Sequence, residues 1–474
     1  MKMRKEDVCF GSACELADMI KRQELSASEV TERFIERIEK INPIINAYCT
    51  TTFELAREQA KQADDIVKRG GKIGALQGVP TSIKDVVQTK GIRTTFGSKL
   101  YENYIPEMDE VVVERLKAAG CVILGKTNTP EFGHKGATEN LIFGATRNPW
   151  NLTKTTGGSS GGAGAATVSG LCALALGSDG GGSIRIPSSL CGCFGLKPNY
   201  GRIPHYPHLG TLWTTLDHYG PLVRYVEDAA LMLDVMKGPH DADRYSLPEQ
   251  NINYSEGIRV KPSKLKIGYS LSLGFLKALD PEVERNVLNA VPKFSEVGWT
   301  VEEAKIKVRN PETAYMTLLT TPFGHDLKGK LSTARDSITP TLVKIIEGGT
   351  NWTAMDYVDA MLERQKIYAE LVGFFKNYDL LITPTTAIPA FELGIMNPPR
   401  IGEKPASPLS WVSFTYPFNM TGLPAASIPC GWTKEGLPVG MQLVGKRFDE
   451  LTVLQAAKAF QELAPWQERK PKLG

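Results

Sequence analysis

The sequence predicts an α/β fold in which a mostly parallel or mixed central β-sheet is covered by helices on both faces. Two observations carry that expectation. From Leu76 onward, short apolar strands alternate with helical segments, a pattern that asks for a parallel or mixed sheet with helices above and below. Residues 1–70 instead show helical periodicity only, a layer that precedes the alternation.

Ser26 and Glu29 form a capping-box pattern ahead of Val30, Phe34, Ile38 and Ile41, one apolar face of a helix that Asn42-Pro43 is expected to stop. Thr51 and Glu54 open a second helix, and Gly70-Gly71 ends it. Val79–Val87 reads as a strand, Asp109–Ala119 as a helix closed by Gly120, and Cys121–Leu124 as a short buried strand. A helix over Pro281–Phe294, a strand at Thr300–Val301, a long helix over Thr353–Phe375 and a strand at Leu380–Thr383 continue the pattern. The polar, turn-rich segment Pro239–Ser263 is either a linker or an excursion within one fold.

The most unusual stretch is TGGSSGGAGAATVSGLCALALGSDGGGSIRIPSSLCGCFGLKP at 156–198. Ten of the 27 residues from Gly157 to Ser183 are glycine, against 45 in all 474. The two glycine clusters flank an Ala/Val/Leu run that reads as a short helix and then a buried strand, so the stretch is not a flexible linker. It contains neither GxxxxGK[ST] nor GxGxxG, which argues against a phosphate cradle. Glycine allows backbone N–H groups to crowd a small volume beside a hydroxyl, and acyl transfer requires such a grouping.

Composition excludes several classes. With 42% hydrophobic and 23% charged residues the chain is ordinary and globular, and a net charge of +3 without a basic stripe gives nucleic acid no footprint. The N-terminus, MKMRKEDVCFGSACEL, carries charge but no apolar h-region, and no apolar run approaches the ~20 residues of a membrane span. The eight cysteines include no CxxC pair and several lie in apolar runs, which reads as buried reduced thiols in a cytoplasmic protein.

A serine attacks only when one group takes its proton and another stabilises the oxyanion. None of the six histidines lies in a GxSxG or other triad context. His205 and His208 could pair on a metal, but without a Cys or carboxylate cluster nearby they read as loop or pocket residues. Lysine is the other base serine chemistry uses. Lys84 ends the apolar strand of GVPTSIKD, a position that by itself also suits a surface lysine.

With GVPTSIKD at 78–85, GKTNTPEF at 125–132, RNPWN at 147–151, GGSSGG at 157–162, ALGSDGGGSIRIPSSLCGCFGLKPNYGR at 175–202, and DLLITPTT, PFNMTGLPAASIP and GLPVGMQLVGKRFDE toward the C-terminus, the chain resembles the amidase signature family. The resemblance spans most of the chain in the family's order. It implies the amidase signature fold as a single domain over 1–474, with the N-terminal helical layer at 1–70, a catalytic core at 76–240 and the rest of the α/β core with substrate-pocket segments at 240–474. It also implies a Ser-cisSer-Lys triad in which Ser183 is the nucleophile, Ser159 the bridge after a cis Gly158–Ser159 bond, and Lys84 the base. Backbone N–H groups of Gly180, Gly181, Gly182 and Ser183 would form the oxyanion hole. Many members carry Thr or a larger residue at the position of Gly180, so a looser hole is expected here. Asp179 and Arg185, which bracket the nucleophile, read as a scaffold pair.

The reaction so implied is hydrolysis of the C–N bond of a small acyl or aryl amide through a serine acyl-enzyme, with ester and carbamate (urethane) hydrolysis open to the same intermediate. No cofactor and no metal are implied. The partner expected is a small-molecule amide, with no nucleic acid or membrane, in a monomer or homodimer. Candidate substrate-facing segments are Phe132–His134, Thr155-Thr156, His205–Trp213, Thr321–His325 and Phe414–Phe418, which equally suit core filling. The alternative is the glutaminase subunit of a tRNA-dependent amidotransferase, which typically has Gln after the Arg of SIR, where this chain has Ile186.

Overall fold

The computed structural model describes residues 5–473, so residues 1–4 of the charged N-terminal segment lie outside the described residues. Eleven strands build one mixed sheet: β1 (Tyr48–Thr51), β2 (Pro80–Lys84), β3 (Val122–Thr127), β4 (Leu174–Ser178), β5 (Phe194–Lys197), β6 (Tyr219–Val223), β7 (Lys266–Tyr269), β8 (Thr300–Glu303), β9 (Leu380–Pro384), β10 (Ala425–Trp432) and β11 (Pro438–Gly445). Their order is β1-β3-β2-β4-β6-β5-β10-β11-β9-β7-β8. The runs β3-β2-β4 and β9-β7-β8 are parallel, and the remaining pairs are antiparallel. This is the α/β architecture expected, with helices flanking the sheet. The central strands β2 and β4 are buried at every position, as a sheet covered on both faces requires.

The N-terminal layer consists of α1 (Ala13–Lys21), α2 (Ala27–Ile45) and α3 (Phe53–Lys68). The Ser26/Glu29 capping box forms, but α2 runs through Pro43 instead of stopping there. Pro43 falls in the last turn, and the true stop is Asn46 at φ 53, whose left-handed backbone lets Asn42 Oδ1 accept from the N–H groups of Ala47 and Tyr48. Thr51 does not open the next helix. It ends the edge strand β1, and Thr52 takes the N-cap position while its hydroxyl donates to Ile123 O.

Other boundaries moved as well. The strand expected at Val79–Val87 forms only over β2, and the helix expected over Pro281–Phe294 divides into Pro281–Ala290 and Lys293–Glu296 at Pro292. Pro239–Ser263 is packed within the fold. In that last segment the Arg115 guanidinium donates to Pro239 O and Tyr254 is fully buried.

The glycine-rich stretch folds as the helix Gly161–Val168, strand β4, a loop over 179–184 and the helix Arg185–Cys191. Gly162 permits that first helix to lie against the chain, since a Cβ there would fall 2.4 Å from Asn128 N. Ile184 belongs to the apolar core around the N-terminal layer and central strands, and Ile186 to a second core that includes Tyr315, Trp411 and Tyr416. The loop therefore sits on the seam between two cores, both of which hold it in place.

Candidate active site

Lys84 is the last residue of β2, and the parallel register that sets Ile83 opposite Leu176 brings its side chain within reach of Ser178 at the end of β4. Its side chain is fully buried. Nζ donates to Ser159 Oγ at 2.6 Å and to Ser178 Oγ at 2.9 Å. Burial depresses its pKa to about 7, against the opposing pull of Asp217 and Asp179. Two further lysines are as deeply buried, Lys126 and Lys197. Lys126 bonds Thr89 and Thr94 hydroxyls and Lys197 the Leu423 carbonyl. Of these three, Lys84 is the one whose partners are serines in the wall of a cavity.

Ser159 follows a cis Gly158–Ser159 peptide, as the resemblance implied. Ser160 N–H donates to Ser183 O at 3.1 Å and Ser160 Oγ to Ser178 O at 3.1 Å, which ties both glycine clusters to the end of β4. Ser159 and Ser183 line the same cavity. The structure thus brings Lys84, Ser159 and Ser183 to one place, from positions 84 to 183 in the sequence.

Asp179 and Arg185 are fully buried and form the scaffold pair expected of them. Asp179 receives Arg185 Nε and Nη2, each at 2.9 Å, and Arg185 continues to Thr415 O, Asn419 Oδ1 and Gln442 Oε1. Burial disfavours the Asp179 carboxylate, but the Arg185 charge and these hydrogen bonds outweigh it and hold the carboxyl below its usual range. Replacing Asp179 by Asn should cost about 3–5 kcal/mol of stability, because Arg185 would be left as an uncompensated buried charge; urea denaturation measures it.

The loop departs from expectation at two glycines. Gly182 was expected to offer its N–H to an oxyanion, but that N–H donates to Asp179 Oδ1 at 2.7 Å. Gly180 was expected to leave the hole loose, but Trp213 occupies the space: a Cβ on Gly180 would lie 2.2 Å from the indole ring. Gly181 is equally confined, since its Cβ would meet Tyr315 OH at 2.0 Å. Trp213 has left-handed backbone, φ 62, and its Nε1 donates to Phe132 O at 2.8 Å.

Above Ser159 and Ser183 lies a cavity of about 400 Å³. Phe132, Gly133 and the loop from His205 contribute to its wall, as expected, together with Asp217, Glu110 and Ala242–Tyr245, which the sequence did not single out. His205 stacks on Tyr219 with centroids 4.0 Å apart and on His208 at 6.0 Å. Burial pushes the Asp217 carboxyl up to about 7 despite the pull of Lys84. A second chamber of about 130 Å³ shares Gly133, Ser183 and Trp213 with the first, and Tyr416 from the expected 414–418 segment lines it. Thr155-Thr156 and Thr321–His325 line neither chamber; Phe323 instead backs the Trp213 ring at 5.6 Å.

The mixed sheet thus brings a buried amine and serine hydroxyls beneath a glycine loop, and the family and relatives that the chain matches make it a hydrolase of C–N amide bonds. The chain belongs to the amidase signature family, whose model, described as Amidase, matches residues 29–454. It is similar to an acylamidase of Rhodococcus erythropolis, with 37% identity over 99% of this chain and 98% of that one. It is also similar to a glutamyl-tRNA(Gln) amidotransferase subunit from Moorella thermoacetica, with 39% identity over 99% of each chain. The solved structure of a bacterial aryl acylamidase of the amidase signature family superposes with a TM-score of 0.90 at 30% identity, covering 97% of each chain. No helix among the described residues is long and apolar enough to cross a membrane.

Proposed function

We propose that this amidase hydrolyses small acyl or aryl amides through an acyl-enzyme on Ser183. Ser183 Oγ attacks the amide carbonyl as Ser159 Oγ takes its proton and passes its own to neutral Lys84 Nζ. The oxyanion is held by N–H groups of Gly180, Gly181 and Ser183. When the tetrahedral adduct collapses, the C–N bond breaks and the proton returns from Lys84 through Ser159 to the leaving nitrogen. Water then attacks the ester over the same relay and frees Ser183. The observation that carries this reading is the 2.6 Å contact from a fully buried lysine amine to Ser159 Oγ, because a desolvated amine near pKa 7 can accept a proton at neutral pH.

The test is turnover by the isolated protein of anilide, aliphatic amide, glutamine and carbamate panels, with mass spectrometry after a fluorophosphonate. Anilide or aliphatic amide turnover with a Ser183 adduct is expected; no turnover and no adduct would overturn the proposal. A second reading, the glutaminase subunit of an amidotransferase, is favoured by the 39% identity to the Moorella protein across 99% of the chain. Ile186, buried against the loop where that glutaminase typically has Gln, counts against it. Glutamine hydrolysis that appears only with a partner protein would select this second reading.

A further inference from the structure

We infer that the two chambers divide the substrate: the small one takes the acyl group and limits it to about one phenyl ring, and the large one takes the amine. This rests on the acyl-enzyme reading above. Ser183 lines both chambers, so a carbonyl carbon attacked by its hydroxyl sits at their junction with its two substituents diverging. The leaving nitrogen must receive its proton from Ser159. Ser159 lines the large chamber and not the small one, which puts the nitrogen and its substituent on the large side.

The acyl substituent is left with the small chamber. Its wall includes Tyr315, Met316, Leu319, Trp411 and Val412. The polar residues beside it are already engaged: His134 is fixed between Glu131 O at 2.6 Å and Thr341 Oγ1 at 2.8 Å, and Lys135 pairs with Glu139 at 2.7 Å. An apolar cavity of about 150 Å³ accommodates benzene. At about 130 Å³ this chamber suits a benzoyl or short branched acyl group. The wall cannot easily recede, because the Trp411 ring abuts Gly136, whose Cβ would lie 2.7 Å from it, and Tyr315 stacks on Tyr416 at 4.6 Å. A charged acyl arm, such as the amino-acid end of glutamine, would meet a mainly apolar wall whose His134 and Lys135 are already engaged. On the other side, Glu110, His208, Asp243 and Arg244 give the large chamber the polarity and width for a bulky amine.

Two matched series test the division: p-nitroanilides whose acyl group grows from acetyl through benzoyl to 2-naphthoyl, and benzamides whose amine grows from aniline to 4-aminobiphenyl. The expected result is at least a tenfold fall in kcat/KM from benzoyl to naphthoyl, with less than threefold variation along the amine series. Trp411→Ala, or Met316→Ala at a less buried wall position, should shrink the naphthoyl penalty at least tenfold. A size limit that falls in the amine series, or in neither, would overturn the division while leaving the acyl-enzyme intact. No turnover of either series and no Ser183 adduct would overturn the parent reading and this one with it.

Discussion

Ser183→Ala is expected to lose about 10⁴–10⁶-fold in kcat/KM toward an anilide that the wild type hydrolyses, the range seen when a serine nucleophile is removed. The change should leave the fold intact. Ser183 supplies its carbonyl to Ser160 N–H, a backbone contact that alanine keeps, and removing one oxygen adds no volume to the loop. The residual rate would come from the loop's N–H donors and from binding. Steady-state kinetics with intact-mass analysis checks both halves of this expectation: activity within tenfold of wild type, or an adduct at another serine, would remove Ser183 from its role.

Lys84→Met should lose about 10²–10⁴-fold in rate and gain stability in the same protein. The folded pKa of about 7 lies below the ordinary lysine value of 10.5, so the buried amine costs nothing above pH ~10.5. The penalty grows as pH falls toward 7, where it reaches about 4 kcal/mol. Methionine removes it and forfeits two hydrogen bonds worth about 1 kcal/mol each, leaving a net gain of about 2 kcal/mol. Denaturant midpoints at pH 7 measure the gain, and a less stable variant would mean that the amine is not strained by desolvation. The same group sets the pH profile: kcat/KM should rise with pH through about 7 as Lys84 loses its proton. Asp217 pulls that pKa upward, so Asp217→Asn should move the acid limb to lower pH; a limb that vanishes in this variant would belong to Asp217 itself.

Much of this arrangement is legible in the sequence, through local rules. The capping box at Ser26, the long helix from Thr353, the strand before Lys84 and the short helix between two glycine clusters depend on neighbours a few residues away. Pro43 and Thr51 misled because their roles are decided from outside: the Asn42 side chain closes α2 beyond the proline, and pairing with β3 draws Thr51 into a strand. Lys84 differs from Lys126 and Lys197 only in what the register of β2 and β4 sets beside it. Trp213 gives no local sign that it will fill the space over Gly180, a contact spanning 33 positions. Ser178 comes to Lys84 through the pairing of β2 with β4, and Asp217 reaches the cavity wall from the residues just before β6, a placement that no neighbouring residue announces.

The Asp179–Arg185 staple is completed by Thr415, Asn419 and Gln442, and β10 and β11 fill the middle of the sheet although they are made after all its other strands. A chain emerging from the ribosome therefore carries its serines and Lys84 long before anything holds them in register. Until the segment at 415–442 has cleared the exit tunnel, the guanidinium of Arg185 has too few acceptors. Hydrolysis would then count only molecules made at least through β11, and chains that end before Thr415 would stay inert.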